Sequence, residues 1–320
     1  MYDLSICLYT WASNDPIDWG HWNKNIKIRE VPYSRYYQIP IAKIFYWFWN
    51  KIDQPAKIIC NFLWHGETVV YKKYNDILIL HNPLSQIPLR YKFVKEFIDY
   101  KSLIVFDSNN SLNEFSSTNK KYTNCKMINT GVNSRYFKPE KTNNHIQKLS
   151  LICISEFEER KGIQYLIQAM PDLLSEFPSI FLTIIGSGKL KSRYKEMIDK
   201  LSIKDFVKIQ DPVNDTRPYL LMSDIYFLLS DGEGFPLGLL EAMSCGIPTI
   251  VSDKPPFDEI IDKNVGCRVK REDPKSIIKA IRKLKESKVR ESMGENARRL
   301  IKQRYSWPII TKQYYDLIGI

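Results

Sequence analysis

The sequence predicts an α/β protein built on doubly wound parallel sheets. In residues 149–320, short apolar runs alternate with segments whose apolar residues recur at the spacing of an amphipathic helix. The connections between these segments are short, and strands that alternate with helices in this way form parallel sheets. With 320 residues, of which 44% are hydrophobic, the chain is long enough for two ordinary domains.

The second half of the chain carries the clearest elements. The run 225–229, Ile-Tyr-Phe-Leu-Leu, is apolar throughout, which is typical of a strand covered on both faces. In the segment 162–177, apolar residues such as Ile163, Leu166 and Met170 fall on one helical face. Strands are predicted at 150–154, 180–185, 207–209, 225–229 and 249–251, and helices at 162–177, 190–201, 275–285 and 290–305.

The first half is less regular. Short apolar runs predict strands at 58–60, 77–80, 103–106 and 127–128. The polar segment 142–148, Thr-Asn-Asn-His-Ile-Gln-Lys, has the composition of a linker between domains. We therefore expect an N-terminal domain over residues 1–148 and a C-terminal domain over residues 149–320.

Residues 233–248 are the most informative stretch, and they read Glu-Gly-Phe-Pro-Leu-Gly-Leu-Leu-Glu-Ala-Met-Ser-Cys-Gly-Ile-Pro. An apolar run stands on each side, which predicts a strand, a loop, a helix and a second strand. Pro236 suits the first helical turn, and Gly246 suits the position after the last turn. A helix N-terminus beyond a strand end favours a phosphate, and a carboxylate beside it can accept hydrogen bonds from sugar hydroxyls.

This stretch resembles the signature of family 4 glycosyltransferases, which are retaining, use nucleotide sugars and have the GT-B fold. The resemblance rests on the eight-residue spacing from Glu233 to Glu241 within Glu-Gly-Phe-x-Leu-x-x-x-Glu-Ala-Met-x-x-Gly-x-Pro. It also includes Asn-Thr-Gly-Val-Asn at 129–133, and it is strong from residue 102 to residue 320. A capped helix with two solvated acids is the plainer alternative.

The resemblance implies two Rossmann-like domains that face a cleft. The segment 2–10 is similar to one that family members place after a first strand, a Gly-rich loop and a long helix. The N-terminal domain is therefore expected to lack its first βα unit. A misannotated start, a natural truncation and a divergent minimal domain would each explain this.

The implied activity is the transfer of a hexose from a nucleoside diphosphate sugar, with retention, to a glycan or lipid-linked acceptor. This places the protein in polysaccharide or glycoconjugate biosynthesis. By the same resemblance, Glu233 holds hydroxyls of the donor sugar and Glu241 holds the ribose. Further donor contacts are expected from backbone N–H groups, with Gly234 and Phe235 facing the sugar and Leu237 and Gly238 facing the diphosphate.

The phosphate charge is assigned to Lys161, which stands in Glu-Glu-Arg-Lys-Gly at 158–162 and matches the Lys-Gly of the family. The alternative is a solvated lysine before a helix. Five positions earlier, where the family has arginine, this chain has Glu156, whose carboxylate would repel a diphosphate. Either Arg160 substitutes for the arginine, or the loop is displaced, or donor binding is weakened.

Three further features are less specific. Gly186 and Gly188 resemble a Gly-x-Gly turn near the nucleotide, although a tight strand-to-helix turn explains them equally well. Val213 corresponds loosely to the loop that lines the base. His81 follows an apolar strand, where relatives place a histidine near the sugar and the acceptor, and it is catalytic in that interpretation. A histidine that caps a turn is the alternative.

The composition indicates which classes of protein are not expected. The six cysteines are scattered and no histidine cluster accompanies them, so a disulfide framework or a zinc site is not expected. No Asp-x-Asp motif follows a strand, and we expect neither a metal nor another cofactor. The sequence lacks a secretory signal and a membrane-spanning segment, which predicts a cytoplasmic protein.

Charge is uneven along the chain. Residues 1–148 carry 20 Lys and Arg against 12 Asp and Glu, a net of +8, whereas the remainder carries 27 against 24, a net of +3. No nucleic-acid-binding signature accompanies this charge, so nucleic acid is not an expected partner. The aromatic and basic segment 33–51 suits peripheral contact with an anionic membrane at its inner face, where a lipid-linked acceptor would arrive. An ordinary core helix is the alternative.

A second function stays open beside the enzyme. A catalytically inactive protein of the same fold, which binds a sugar nucleotide or serves as an assembly subunit, would also carry this signature. The acidic Glu156 and the short N-terminal domain favour that alternative.

Overall fold

The computed structural model describes residues 6–11, 26–31, 59–62, 77–80, 103–140 and 149–318. Its contacts divide the chain into two compact units. The first comprises Met1–Phe106 and Glu114–Lys126, and the second comprises Asp107–Asn113 and Met127–Ile320. The segment 142–148, where we place the linker, lies outside the described residues, so the division into domains at that point stays a prediction.

The first unit contains short parallel strands. Strands β1 and β2 pair with each other, and β3, β4, β5 and β6 form a second sheet in that order. In this unit the ring of Phe115 packs 5.1 Å from Phe106 and 5.5 Å from Tyr122, between ring centroids. The strands are Ile6–Trp11 (β1), Ile26–Val31 (β2), Ile59–Phe62 (β3), Ile77–Leu80 (β4), Leu103–Phe106 (β5) and Cys125–Met127 (β6).

The second unit is built on a six-stranded sheet in which every pair is parallel. Its strands are Leu149–Ile154 (β7), Ile180–Ile185 (β8), Val207–Gln210 (β9), Ile225–Leu228 (β10), Thr249–Ser252 (β11) and Gly266–Val269 (β12). The helices are Asn109–Thr118 (α1), Ile163–Glu176 (α2), Lys191–Lys200 (α3), Arg217–Leu221 (α4), Leu237–Ser244 (α5), Phe257–Ile260 (α6), Pro274–Lys283 (α7), Ser287–Leu300 (α8) and Trp307–Ile318 (α9), of which α1 begins in this unit.

The strand order of this sheet is β12-β11-β10-β7-β8-β9. Along the chain, strands are added outward from β7 through β8 to β9, and the chain then returns to place β10 on the other side of β7. The sheet is therefore doubly wound, and its direction reverses between β7 and β10. In open parallel sheets a ligand binds outside the carboxyl ends of the strands at this switch point.

Apolar side chains cover both faces of this sheet, as the continuous apolar runs predict. One face packs on α2 and α7, where Leu166, Ile167 and Ile281 are buried. The other face packs on α5, where Leu239 and Leu240 are buried. Full burial of each such side chain contributes about 1.5–3 kcal/mol, so this core fixes the positions of the loops at the strand ends.

Several elements were not predicted. Helix α1 is rich in Asn and Ser, which are weak helix formers, and its first amides donate to a carboxylate on helix α6. The N–H groups of Asn109 and Asn110 lie 3.0 Å from the two carboxylate oxygens of Glu259. Strands β1, β2 and β12 and helices α4, α6 and α9 were also not predicted. Of these, α4, α6 and β12 have only four or five residues, too few for a periodic pattern to identify them.

The predicted absence of a membrane span can be compared with only part of the chain. Among the described residues, no helix is both long enough and apolar enough to cross a bilayer. The segment 33–51 and His81 lie outside those residues, so their assignments stay predictions.

Candidate active site

The loop after β7 places two cations at the switch point. It runs from Ser155 to Gly162 and closes with a short 3₁₀ turn over Glu159–Lys161. Gly162 then begins α2 at φ 70°, where a side chain is strained. A Cβ at this position would lie 2.1 Å from the carbonyl oxygen of Leu229. Only glycine fits here, and it allows the end of the loop that carries Arg160 and Lys161 to pack against Leu229, the residue after β10.

The loop after β10 supplies the facing carboxylate. It contains Glu233 and leads through Pro236, which caps α5, into a helix of eight residues. No side chain caps the first amides of this helix, and such amides have no partner within a helix. Gly246 follows the helix at φ 76°, as predicted for the residue past its last turn.

Lys161 and Glu233 form an ion pair across the switch point. The distance from Lys161 Nζ to Glu233 Oε1 is 2.6 Å, and the two side chains are only 11% and 13% exposed. Arg160 Nη1 lies 3.7 Å from Glu233 Oε2 and 3.4 Å from the carbonyl oxygen of Gly232. Two cations and one carboxylate therefore meet where the fold places a ligand.

Arg160 also contacts the acidic residues of its own loop. Its Nε donates to Glu158 Oε2 at 2.9 Å, and its Nη2 lies 3.9 Å from Glu156 Oε2. The Glu156 side chain is 70% exposed and points its charge towards the same guanidinium. The structure thus places Arg160 near three carboxylates, those of Glu156, Glu158 and Glu233.

Glu241 lies farther along α5 and is largely buried. Thr216 Oγ1 donates to Glu241 Oε2 at 3.2 Å. Burial raises the pKa of this carboxyl above its ordinary value, while the hydrogen bond from Thr216 opposes that rise and the charge of Asp215 adds to it. A carboxylate held in this way keeps its second oxygen for another donor, such as a hydroxyl group.

Gly186 and Gly188 have a packing role that is independent of any ligand. They adopt φ 154° and 148°, and a Cβ on Gly186 would lie 1.9 Å from the carbonyl oxygen of Ser155. The turn after β8 thus packs closely on the loop after β7. Val213 is partly buried on the α5 face of the sheet, in the loop after β9. The tight-turn explanation is sufficient for the two glycines.

The remaining predicted residues surround the start of α5. Gly234 is buried, and the ring of Phe235 lies 5.6 Å from that of Tyr305, between centroids. Leu237 is 49% exposed at the first helical position. A Cβ on Gly238 would lie 2.8 Å from the hydroxyl of Tyr226, so a larger residue there would displace a buried tyrosine.

The comparison with known protein families identifies the chain. Residues 134–300, more than half of the sequence, match the family described as glycosyl transferases group 1. The chain belongs to this family. The matched region of this glycosyltransferase contains Lys161, Glu233 and Glu241, and the helix that carries Glu241.

Relatives of this glycosyltransferase support the assignment. The N-acetyl-alpha-D-glucosaminyl L-malate synthase of Bacillus anthracis is 27% identical over 311 residues, which cover 92% of this chain and 76% of that relative. Several other relatives match about half of this chain and less than half of their own length.

Solved structures establish the fold of the glycosyltransferase as GT-B. Sucrose-phosphate synthase from Thermosynechococcus elongatus has a TM-score of 0.81 at 18% identity, with 98% of this chain and 88% of that chain covered. HepE from Anabaena, in complex with UDP-glucose, has a TM-score of 0.68 at 20% identity, with 76% of this chain and 71% of that chain covered.

Sequence reasoning missed four side chains of the glycosyltransferase that support this site: Thr216, Tyr226, Arg271 and Tyr305. Each contacts a predicted site residue or its loop from another element. The local sequence around each of them does not mark a site residue, and only the tertiary fold brings them here. Within the described part of the chain, no group of three His, Cys, Asp or Glu side chains is placed to hold a metal ion.

Proposed function

We propose that the protein transfers a hexose from a nucleoside diphosphate sugar, with retention at the anomeric carbon, to a glycan or lipid-linked acceptor. Membership of the glycosyltransferase family supports the reaction class. The observation that carries the assignment of the site is the contact of 2.6 Å between Lys161 Nζ and Glu233 Oε1 at the carboxyl ends of β7 and β10.

The diphosphate of the donor binds between Lys161, Arg160 and the start of α5 in this proposal. Two side-chain cations and the first amides of the helix, those of Leu237 and Gly238, offset its negative charge. Departure of the nucleoside diphosphate leaves negative charge on a phosphate oxygen. Groups that are already fixed around that oxygen stabilise the transition state more than the ground state.

The sugar of the donor binds beside Glu233, with the amides of Gly234 and Phe235 as further donors. When the diphosphate arrives, Lys161 turns from the carboxylate to a phosphate oxygen, and Glu233 becomes free to accept hydrogen bonds from sugar hydroxyls. The bond between the anomeric carbon and the phosphate oxygen then breaks. The acceptor oxygen bonds to the same face of that carbon, and its proton passes to the departing phosphate.

The nucleoside occupies the far side of the site. Glu241 accepts hydrogen bonds from the ribose hydroxyls through the carboxylate oxygen that Thr216 leaves free. The base lies beside Val213, and the turn with Gly186 and Gly188 gives the nucleotide room near the end of β8.

The acceptor binds in part to segments outside the described residues in this proposal. His81 orients its hydroxyl group, and the aromatic segment 33–51 contacts an anionic membrane that carries a lipid-linked acceptor. The net charge of +8 on residues 1–148 supports the membrane contact. A soluble glycan is the alternative, and sedimentation with anionic and neutral vesicles distinguishes the two.

Transfer proceeds without a metal ion in this proposal, because Lys161, Arg160 and α5 supply the positive charge at the diphosphate. We expect activity to be unchanged by EDTA. Loss of activity in EDTA, with recovery on addition of manganese, would overturn this part of the proposal.

The function is tested with a panel of nucleotide sugars. UDP-glucose and UDP-N-acetylglucosamine come first, because HepE binds UDP-glucose and the Bacillus anthracis relative is named for N-acetylglucosaminyl transfer. The expected result is release of the nucleoside diphosphate from one donor and a product whose anomeric configuration, measured by NMR, equals that of the donor. An inverted product would exclude the retaining reaction.

One observation favours a second function. Glu156 places a carboxylate near Arg160, where the resembling family has an arginine. A protein that binds a sugar nucleotide without transferring it would tolerate this charge. Calorimetric binding of a nucleotide sugar, together with no release of nucleoside diphosphate in the presence of any acceptor, would support this alternative over the enzyme.

A further inference from the structure

Arg271 is a buried cation that is not among the residues assigned to donor binding. It follows β12, in a Lys-Arg-Glu-Asp sequence that predicts an exposed loop, yet it is only 5% exposed. Its Nε donates to Glu272 Oε1 at 2.8 Å, and its guanidinium carbon lies 5.2 Å from the centre of the Tyr165 ring on α2. A buried guanidinium needs such partners, and this one has found them on several elements.

The guanidinium of Arg271 joins the two loops of the candidate site. Its Nη1 lies 2.8 Å from the carbonyl oxygen of Arg160, after β7, and 3.4 Å from that of Leu229, after β10. The same group lies 3.8 Å from Asp231 Oδ1. One side chain therefore contacts both sides of the switch point.

The backbone is also closely packed where the loop after β7 meets the loop after β10. The carbonyl oxygen of Arg160 accepts a second hydrogen bond, from the N–H of Asp231 at 2.7 Å. Gly162 has no room for a Cβ against Leu229. Where the two loops meet, Arg271 lies on the carbonyl groups of Arg160, the residue before Lys161, and of Leu229, four residues before Glu233.

We propose that Arg271 is a positioning residue for glycosyl transfer: it fastens the loop of Arg160 and Lys161 to the loop of Glu233, so that the cations and the carboxylate meet at the donor. The inference rests on the proposed function. No contact joins Arg271 to Lys161 or Glu233 side chains among those described, so its effect passes through the backbone of the two loops. The planar guanidinium of arginine carries several N–H donors and can bind two carbonyl oxygens at once. The single ammonium group of lysine is not suited to this geometry.

The variants Arg271→Lys and Arg271→Met test this role. Arg282→Met is the matched control, because Arg282 makes an exposed bidentate pair with Glu176 on another part of the same unit. We expect kcat to fall by about tenfold or more in Arg271→Lys and by about 10²-fold in Arg271→Met, which is the scale for misplaced catalytic groups. The Kd of the free nucleoside should change much less, because its ribose is assigned to Glu241, which Thr216 holds away from this loop.

A purely structural role predicts a different pattern. In that case the melting temperature falls in both variants, while kcat per folded molecule equals that of the wild-type protein, and the proposal is wrong. Arg271→Lys keeps a cation at the site and provides the test if Arg271→Met does not fold. Wild-type kcat in both variants would also overturn the role.

Hydrogen exchange provides a readout that does not need activity. We expect the peptides that contain Asp231 and Lys161 to exchange faster in Arg271→Lys than in the wild-type protein, with no such change in Arg282→Met. Unchanged exchange in both peptides overturns the positioning role. If the exchange changes as expected but the wild-type protein releases no nucleoside diphosphate from any donor, the proposed function fails and the link between the loops stands.

Discussion

Lys161 Nζ lies 2.6 Å from Glu233 Oε1, although 72 positions separate the two residues in the sequence. The contact exists because β7 and β10 are neighbours in the sheet and end at the same edge. Each residue lies in the loop that follows its strand. The reversal of strand order therefore converts two distant loop motifs into one charged site, where parallel sheets bind ligands.

Neutralising Glu156 should strengthen donor binding. Its carboxylate lies 3.9 Å from Arg160 Nη2 and competes for a cation that we assign to the diphosphate. Because exposed pairs contribute about 0.2–1 kcal/mol, we expect Glu156→Gln to lower the Kd of the donor by about 1.4- to fivefold at low salt. Glu156→Arg should have a larger effect in the same direction, and calorimetry measures both.

The control for this change is Glu159→Gln. Glu159 lies in the same loop, and its substitution by Gln removes the same charge. Its carboxylate, however, pairs with Arg193 rather than with Arg160. Donor affinity that rises equally in Glu156→Gln and Glu159→Gln would show a general charge effect and remove the specific role of Glu156.

Gly162→Ala should destabilise the protein. The left-handed conformation costs a residue with a Cβ roughly 1–2 kcal/mol, and the overlap with the carbonyl oxygen of Leu229 adds to that cost. We expect a free energy of unfolding lower by more than about 2 kcal/mol, measured by urea denaturation. Ser187→Ala, in the exposed turn after β8, is the control and should change stability little. Equal stability of the two variants would contradict the close contact at Gly162.

Glu241→Ala should mainly raise the KM of the donor. A ribose contact is present in the ground state and in the transition state alike, so its loss lowers binding with little change in kcat. Thr216→Val removes only the hydrogen bond to this carboxylate and should produce a smaller effect of the same kind. A change confined to kcat in either variant would be inconsistent with a ribose contact.

Glu241 also makes stability depend on pH. Burial raises the pKa of its carboxyl in the folded protein above the ordinary value of 4.5. The folded state therefore holds the proton more tightly than the unfolded state does, and this stabilisation is complete below the unfolded pKa. It is lost as the pH rises through the folded pKa.

The comparison that isolates this effect uses Glu241→Gln. Wild-type stability minus that of the variant should fall as the pH rises from 4 towards neutrality, because other titrating groups cancel in the difference. Urea denaturation at a series of pH values measures it. A difference that grows with pH would mean that the carboxylate is stabilised in the fold.

The sequence was most informative where apolar runs are continuous. Strand β10 is buried along its whole length and appears as an uninterrupted apolar run, and β7, β8 and β11 are mostly apolar; all four were predicted within one or two residues. Strand β12 contains Gly266 and the exposed Arg268, and α1 is rich in Asn and Ser, so neither has the expected local pattern.

The site was predictable in part. The residues of the signature were found because their spacing is specific, whereas the pair between Lys161 and Glu233 depends on which strands are neighbours. Arg271 could not be found, since its sequence neighbours are charged and its burial depends on the packing of three loops. The orientation of Arg160 towards Glu233 likewise needs the fold.

The assigned roles of Lys161 and Glu233 are tested by turnover of the best donor in Glu233→Gln, Lys161→Ala and the double variant. In Lys161→Ala, Arg160 remains 3.7 Å from Glu233, and in Glu233→Gln an amide oxygen can still accept from Lys161. We therefore expect each variant to be destabilised by less than about 3–5 kcal/mol, the cost of breaking a buried pair. Melting temperature confirms that each variant is folded.

In that measurement, kcat/KM should fall by about 10²-fold or more in each single variant, which is the scale for loss of one group that stabilises the transition state. The double variant should lose less than the product of the two single losses, because both side chains act on one bound donor. Turnover equal to that of the wild-type protein in Glu233→Gln and Lys161→Ala would place the reaction elsewhere in the chain.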